Sequence, residues 1–361
     1  SESATASAPA KTQPKAKKNR LSSGFFRFVL TRFLLIIPTV FILVTIVFFV
    51  MRATGDPISA AMGGRLTPEE LQRRIHAAGY DRPLVVQYLD YLGGLLRGDL
   101  GTTLTDNQPV TTILTRYGAA TFELAFLSLI VALIVGIGLG RLAARRRDHA
   151  ADAGIRVFAI LCYATPVFFL GLMLKLVFAV WLNVLPPSGR SSFASDMQFQ
   201  RLVSPTGFYI IDAFQLGDMS VLVDVLRHAV LPALALGLLT AGVFIRLVRT
   251  NVISTYTSGY VEAARSRGVS EGRLLSKHAW RPAMIPIITV MGMQIALMLA
   301  GAVLTETTFE WKGLGFMLSQ YLKQRDFVAV QGIVILIAII VAVVNFIVDV
   351  ISALIDPRVR Y

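Results

Sequence analysis

Tyr260-Val261-Glu262-Ala263-Ala264-Arg265-Ser266-Arg267-Gly268 is a charged, alanine-rich stretch closed by a glycine, and it lies between the fourth and fifth of six long apolar runs. A chain that crosses a bilayer repeatedly has little reason to place a short amphipathic helix there unless something packs on it. Thr257 or Ser258 can cap such a helix, Glu262 falls near its positive end, and Gly268 supplies a left-handed stop. Ser270 can cap a second short helix carrying Glu271, Leu274, Leu275 and His278, until Pro282 leads into the fifth run. The expectation is a helix–glycine–helix element lying across one face of the membrane. Ala263 and Ala264 keep one surface narrow enough to enter a groove, and Glu262, Arg265 and Arg267 can pair with charges there. A basic interfacial loop is the plainer reading of the same residues, and the short pattern alone does not decide between the two.

The rest of the chain supplies the context. Over 361 residues, 55% are hydrophobic and the mean hydropathy is +0.64, which is too apolar for a soluble domain and implies an integral membrane protein. A helix needs about 20 residues to cross the hydrocarbon. The uncharged cores are 33–51, 124–140, 157–174, 229–245, 283–305 and 327–348. The second and fourth are short and extend into semi-polar flanks. The third is interrupted by Lys175 and continues to Leu185, so Lys175 faces protein or snorkels to the interface. The expected fold is an all-α membrane protein with six transmembrane helices.

Lysine and arginine placement orients it. With the N-terminus inside, segments 1–32, 141–156, 246–282 and 349–361 carry a net charge of +14, and the external segments 52–123, 183–228 and 306–326 carry −2. The overall formal charge of +13 is therefore a topology signal, and nucleic-acid binding is excluded as its explanation. Both termini are expected to be cytoplasmic. Residues 1–26 read as a disordered basic tail, since residues 1–20 hold no bulky apolar side chain. No small-residue cleavage site follows the first apolar run, so no cleavable signal peptide is read there. Residues 27–361 form the membrane domain, with an external helical insertion at 52–123 and a cytoplasmic loop at 246–282.

Within the insertion, Thr67-Pro68-Glu69-Glu70 is a capping box with proline at the first helical position. Leu71, Ile75 and Ala78 then share a face before Gly79. A second helix is expected from about Asp81-Arg82-Pro83, its apolar side formed by Leu84, Tyr88, Tyr91, Leu92, Leu95 and Leu96 and its end marked by Gly98-Asp99-Leu100-Gly101. One cysteine, Cys162, rules out a disulfide framework, and His76, His149, His228 and His278 have no metal-ligand spacing. No metal site, catalytic residue, activated nucleophile or paired-carboxylate arrangement is read in the chain.

Several motifs, independent of one another, resemble those of the permease subunits of bacterial dipeptide/oligopeptide-type ABC importers, from about Arg27 to Tyr361. They are Gly55-Asp56-Pro57, Asp81-Arg82-Pro83-Leu84 with Gln87-Tyr88, Gly98-Asp99-Leu100-Gly101, Leu185-Pro186-Pro187-Ser188-Gly189-Arg190, Glu262-Ala263-Ala264 with Gly268, Glu306-Thr307-Thr308-Phe309-Glu310-Trp311 with Gly313-Leu314-Gly315, and Asp356-Pro357-Arg358. Two features depart from the common pattern. Trp280-Arg281-Pro282 and Ile285-Pro286 replace the generic Ile-x-Leu-Pro ending of the importer loop, as in peptide-type permeases. Lys312 stands where the family commonly has proline, which bears on the shape of the last external loop.

The resemblance implies the type I ABC importer permease fold in the bacterial inner membrane. It also implies a complex with a second, homologous permease (a heterodimer by family expectation), two P-loop ATPase subunits, and an extracytoplasmic binding protein that delivers a peptide. The chain has no Gly-x-x-x-x-Gly-Lys-Ser/Thr loop, so ATP and its magnesium ion would be bound by the ATPase partners and no enzyme activity is expected of this chain. The coupling residues carried over are Tyr260, Glu262, Ala263, Ala264, Arg265, Arg267 and Gly268. Relatives move dipeptides, longer peptides, glutathione, haem or nickel chelates, with peptide the default.

The translocation path is read at Gln294, Met293, Met298 and Asn345, although Gln294 serves equally as interhelical hydrogen-bond glue. Tyr88, Tyr91 and Trp311 are candidate anchors for the binding protein or members of the interfacial aromatic belt. Gly136-x-Gly138-x-Gly140 signals close helix packing, since it follows no strand, and Pro166 and Pro232 mark kinks or hinges. Glu123 and Asp349 sit at span ends, within reach of the interface. No uncharged core contains a carboxylate, which argues against the alternative class, a proton-coupled secondary peptide transporter.

Overall fold

The computed structural model describes residues 23–355. The tail assigned to 1–26 lies outside these residues except for its last four positions, which are already helical. The Asp356-Pro357-Arg358 motif is also outside them.

In chain order the helices are α1 (Ser23–Ala53), α2 (Pro57–Met62), α3 (Pro68–Ala77), α4 (Leu84–Leu96), α5 (Val110–Arg145), α6 (Ala150–Ala164) and α7 (Val167–Leu174). A π-helical segment (Lys175–Trp181) continues α7, followed by α8 (Phe193–Phe199), α9 (Tyr209–Leu216), α10 (Met219–Tyr256), α11 (Gly259–Ser266) and α12 (Glu271–Arg273). A second π-helical segment (Leu274–Ala279) leads into α13 (Trp280–Phe309), and α14 (Leu314–Lys323) and α15 (Phe327–Ile355) complete the chain.

Among the described residues, five helices are long and apolar enough to cross a membrane: α1, α5, α10, α13 and α15. The third apolar run is bent by 109° between α6 and α7, where a kink was expected at Pro166. The physical cause is local. Proline disfavours the helical region for the residue before it, and Thr165 accordingly turns extended (φ −81°, ψ 127°). By contrast, α10 runs through Pro232 without a break.

Caps and glycines bound the short helices. Asp56 accepts a hydrogen bond from the Ser59 N–H (2.8 Å) at the start of α2, so Gly55-Asp56-Pro57 is a turn and cap. Thr67 caps α3 through the Glu70 N–H, but the reciprocal half of the expected capping box is absent because Glu70 pairs with Arg74 instead. Gly79 and Gly98 adopt positive φ after α3 and α4.

Helix α10 is the most buried of the spans and α1 the least. Around α10 pack α5, α6, α7 and α13, while α15 bridges α13 and α1. The α5–α10 contact depends on missing side chains. A Cβ at Gly136 would lie 2.5 Å from the Phe244 Cβ, and one at Gly140 would lie 2.7 Å from the Val248 Cβ, whereas Gly138 faces open space. Gly136→Ala is therefore expected to destabilise by about 1–3 kcal/mol, with Gly138→Ala within about 0.5 kcal/mol of the parent. Denaturant titration of the detergent-solubilised pair checks this, and equal stabilities would remove the packing explanation.

Lys175 faces protein. Its Nζ donates to the Thr308 carbonyl (2.9 Å) and lies over the Phe309 ring, placing a cation at the C-terminal end of α13.

Candidate functional site

The segment between α10 and α13 folds as two short pieces joined at Gly268. Ser258 holds the extended N-cap conformation, but its hydroxyl turns back to the Thr255 carbonyl. Helix α11 ends in a Schellman motif: Gly268 N–H bonds to the Arg265 carbonyl (2.9 Å) and Val269 N–H to the Ala264 carbonyl (3.3 Å), with Gly268 at φ +82°. The second piece differs from the expected separate helix. After α12 the chain continues through the π-helical segment directly into α13. Pro282 falls in the first turn of α13, which follows the π-helical segment without a break.

Two apolar residues fix the element to the bundle. Val261 and Leu274 are fully buried, and Leu275, Trp280 and Met284 pack around Val248, Val252 and Ile287. Arg265 bridges the two pieces. Its Nε donates to Glu271 (2.8 Å), it also pairs with Glu262, and its guanidinium lies over the Tyr256 ring, while the Tyr256 hydroxyl donates to Glu271.

Of the expected coupling residues, Tyr260, Glu262, Ala263, Arg267 and Gly268 are exposed on one small ridge. Ala264 is half-buried. Arg265, expected to meet charges on a partner, is instead used within the element. The Tyr260 hydroxyl donates to the His278 carbonyl at 3.4 Å.

Arg265, followed by the Tyr256 hydroxyl, holds the Glu271 carboxyl below its ordinary value of 4.5. A depressed folded-state pKa means that the bridge contributes fully above about pH 4.5 and is lost as pH falls through the lowered value. Hydrogen-exchange protection of the 259–279 amides, corrected for intrinsic rates, should be flat from pH 8 to about pH 5 and fall below that. An unchanged profile in Glu271→Gln would show that the bridge does not order the element.

Below the element, Asp152 at the start of α6 has no exposed surface and accepts two bonds from Arg249 of α10 (2.6 and 2.7 Å). Arg156 approaches at 3.8 Å and the Asp148 N–H at 3.2 Å. This clamp ties the broken span to α10 less than three turns before α11 begins. Sequence reading counted Asp152 only as one acidic residue among basic neighbours. Its place in the first turn of a helix was the available signal.

At the opposite end, two of the motifs converge on α5. Arg190 pairs with Glu123 (2.6 Å), both nearly fully buried, and donates to the Gly207 carbonyl. Its guanidinium stacks 3.7 Å over the Tyr209 ring, and the Ile210 N–H donates to the other Glu123 oxygen. Beside it, Glu306 accepts from the Thr121 hydroxyl (2.7 Å) and the Phe316 N–H (2.9 Å), and Thr121 in turn accepts from the Leu314 N–H. A Cβ at Gly313 would collide with a Glu306 carboxyl oxygen and one at Gly315 would lie 2.5 Å from the Val303 Cα, which accounts for Gly313-Leu314-Gly315 as a close approach to the end of α13 and its buried carboxyl group. Lys312 lies between the two with its side chain exposed.

These contacts correct several expectations. Glu123 does not reach the interface; it is buried in an ion pair. Trp311 is not a surface anchor. It is fully buried, donates from Nε1 to the Ala120 carbonyl (2.9 Å), and packs with Leu124, Val167, Leu236 and Ala302. Met298 belongs to the same core, so it is not on an open path. Met293 and Asn345 are exposed and Gln294 is half-buried. Tyr88 and Tyr91 turn inward onto α1: Tyr88 Oη lies 2.6 Å from Thr45 Oγ1, and the Tyr91 ring stacks on Phe48. Among the described residues, no group of three or more histidine, cysteine or carboxylate side chains could hold a metal ion.

The chain is 37% identical over 336 residues to the di/tripeptide transport system permease protein DppB of Pseudomonas aeruginosa, covering 92% of this chain and 98% of that one. The dipeptide transport system permease protein DppB of Escherichia coli K12 is also 37% identical, over 93% and 99% of the two chains. A solved chain of the MetNI methionine ABC transporter in an inward-facing conformation has a TM-score of 0.48 at 15% identity, covering 68% of this chain and 97% of its own. The model of the N-terminal part of binding-protein-dependent transport system membrane components matches residues 25–124, and that of the inner membrane component matches residues 136–361. The chain therefore belongs to the family of binding-protein-dependent transport system inner membrane components, as a multi-pass protein of that membrane.

Proposed function

We propose that this chain is the membrane-spanning permease subunit of an ATP-driven importer for dipeptides and short oligopeptides. The observation that carries the reading is similarity along nearly the whole chain to permeases named for di- and tripeptide transport. Both termini and the α11 end are cytoplasmic, and the 52–123 insertion is extracytoplasmic, in line with the charge asymmetry. Two ATPase subunits bind ATP and magnesium and dock on the 258–281 element. A second, homologous permease completes the path, and an extracytoplasmic binding protein delivers the peptide.

The geometry supports this division of labour. The ridge of Tyr260, Glu262, Ala263, Arg267 and Gly268 is exposed, while Val261 and Leu274 anchor it to the two helices that must move. Arg265 and Glu271 keep its halves together, so a push on the ridge is passed to α10 and α13 as a rigid-body displacement. A proton-coupled carrier is less well supported. The buried carboxylates Glu123, Asp152 and Glu306 are already matched to Arg190, Arg249 or backbone and hydroxyl donors.

Tagged chain purified in mild detergent is expected to bring down ATPase subunits and a second permease. Glu262→Lys and Gly268→Val should keep insertion and yield while separating ATP hydrolysis from peptide uptake. A Cβ at Gly268 meets open space, so the valine acts through the φ of +82° that a β-branched residue resists. Normal uptake in both variants would overturn the coupling assignment. A chain that purifies alone and carries proton-dependent flux in vesicles would overturn the importer.

A further inference from the structure

Helix α4 carries an aliphatic stripe on its free side. Val85 is 68% exposed, Leu89 60% and Leu96 89%. At 3.6 residues per turn the three fall within a sector of about 40°. Tyr88 and Tyr91 occupy a neighbouring face and hold the helix against α1. Asp90, paired with Arg82, lies on the far side from the stripe.

The contact with α1 sets the depth. Thr45, the partner of Tyr88, lies six residues before Met51, where the uncharged core of the first span ends. At 1.5 Å per residue that is about 9 Å inside the apolar segment. Tyr88 also meets Phe49, itself exposed on the same side of α1 as Ile42 and Ile46. The stripe on α4 thus continues an apolar face that already belongs to the bilayer. Its residues are large aliphatics, whereas helix–helix contacts in membranes favour small and hydroxyl-bearing residues. Asp81 and Arg82 before the helix and Arg97 and Asp99 after it are exposed, as the ends of a helix lying along the headgroups would be.

We propose that α4 is an interfacial helix whose Val85, Leu89 and Leu96 insert into the acyl chains of the leaflet at the α4 end of the bundle. The 52–123 insertion then stands on lipid as well as on α1, and its height above the membrane is fixed by α4. This placement follows from burial and depth and does not depend on the transported substrate.

The test places an environment-sensitive fluorophore at Leu89→Cys or Leu96→Cys in a Cys162→Ala background, with Asp90→Cys as the polar-side control. The full chain, with its co-purifying subunits, is reconstituted in phosphatidylcholine vesicles. Nitroxides attached to the upper acyl chain should remove most of the fluorescence at Leu89→Cys and Leu96→Cys, and aqueous iodide little of it. Asp90→Cys should show the reverse. Val85→Cys gives an independent reading if either leucine variant fails to assemble. Quenching of the stripe by iodide would place it in water, and protection from both quenchers would place it under another protein chain. Either result overturns the proposal.

Discussion

Arg190→Met should lower the stability of the solubilised protein by about 3–5 kcal/mol, the largest effect expected of any single charge removal here. Methionine keeps most of the arginine stem, so the loss isolates the guanidinium. Glu123 would remain at 4% side-chain exposure, with only the Ile210 N–H donating to it. The cost comes from leaving a carboxylate buried without its counter-charge and exceeds the net worth of the pair. The double variant Arg190→Met/Glu123→Gln should therefore recover part of the loss, because no charge is then left unpaired. Denaturant titrations followed by tryptophan fluorescence provide the comparison. Arg190→Met within about 1 kcal/mol of the parent would mean that water reaches Glu123 and that the hub is not a sealed contact.

Trp311→Ala is expected to cost about 3–5 kcal/mol, in the range for removing a large aromatic from a packed interior. The indole fills the space between α5, α7, α10 and α13, and its N–H satisfies the Ala120 carbonyl. Trp311→Phe should retain most of the packing and lose about 1 kcal/mol for the hydrogen bond. The same variants separate burial from the docking role expected of an exposed tryptophan. If Trp311→Ala melted like the parent but bound a delivery protein more weakly, the anchor reading would return and burial would fail.

The two buried charge hubs lie at opposite ends of the bundle. At the α11 end, Asp152 and Arg249 join the broken span to α10 close to the ridge that is proposed to receive the ATPase. At the α4 end, Arg190, Glu123 and Glu306 hold the segments after the third and fifth spans against α5. In the proposed importer, a rigid-body motion of α10 and α13 driven from the ridge would be delivered to a tightly bonded opposite end, where the peptide is received.

What the sequence determined by itself was local. Apolar runs marked the spans, because crossing hydrocarbon requires only length and hydropathy. Asp56 and Thr67 announced helix starts, and Gly79, Gly98 and Gly268 announced stops, because caps and left-handed turns depend on neighbours within a few residues. The helix–glycine turn of α11 was legible for that reason, and the Gly136-x-Gly138-x-Gly140 run of α5 signalled the close packing found at Gly136 and Gly140. The tertiary structure alone decided which residues lie inside. Arg190 meets Glu123 across 67 residues, Arg249 meets Asp152 across 97, and Thr121 meets Glu306 across 185. Nothing near Trp311 in sequence shows that it points into the bundle, and nothing near Arg265 shows that Glu271 will claim it. Such pairings are set by how helices cross in space, and burial then makes each unmatched charge or misplaced ring cost more than any local propensity supplies.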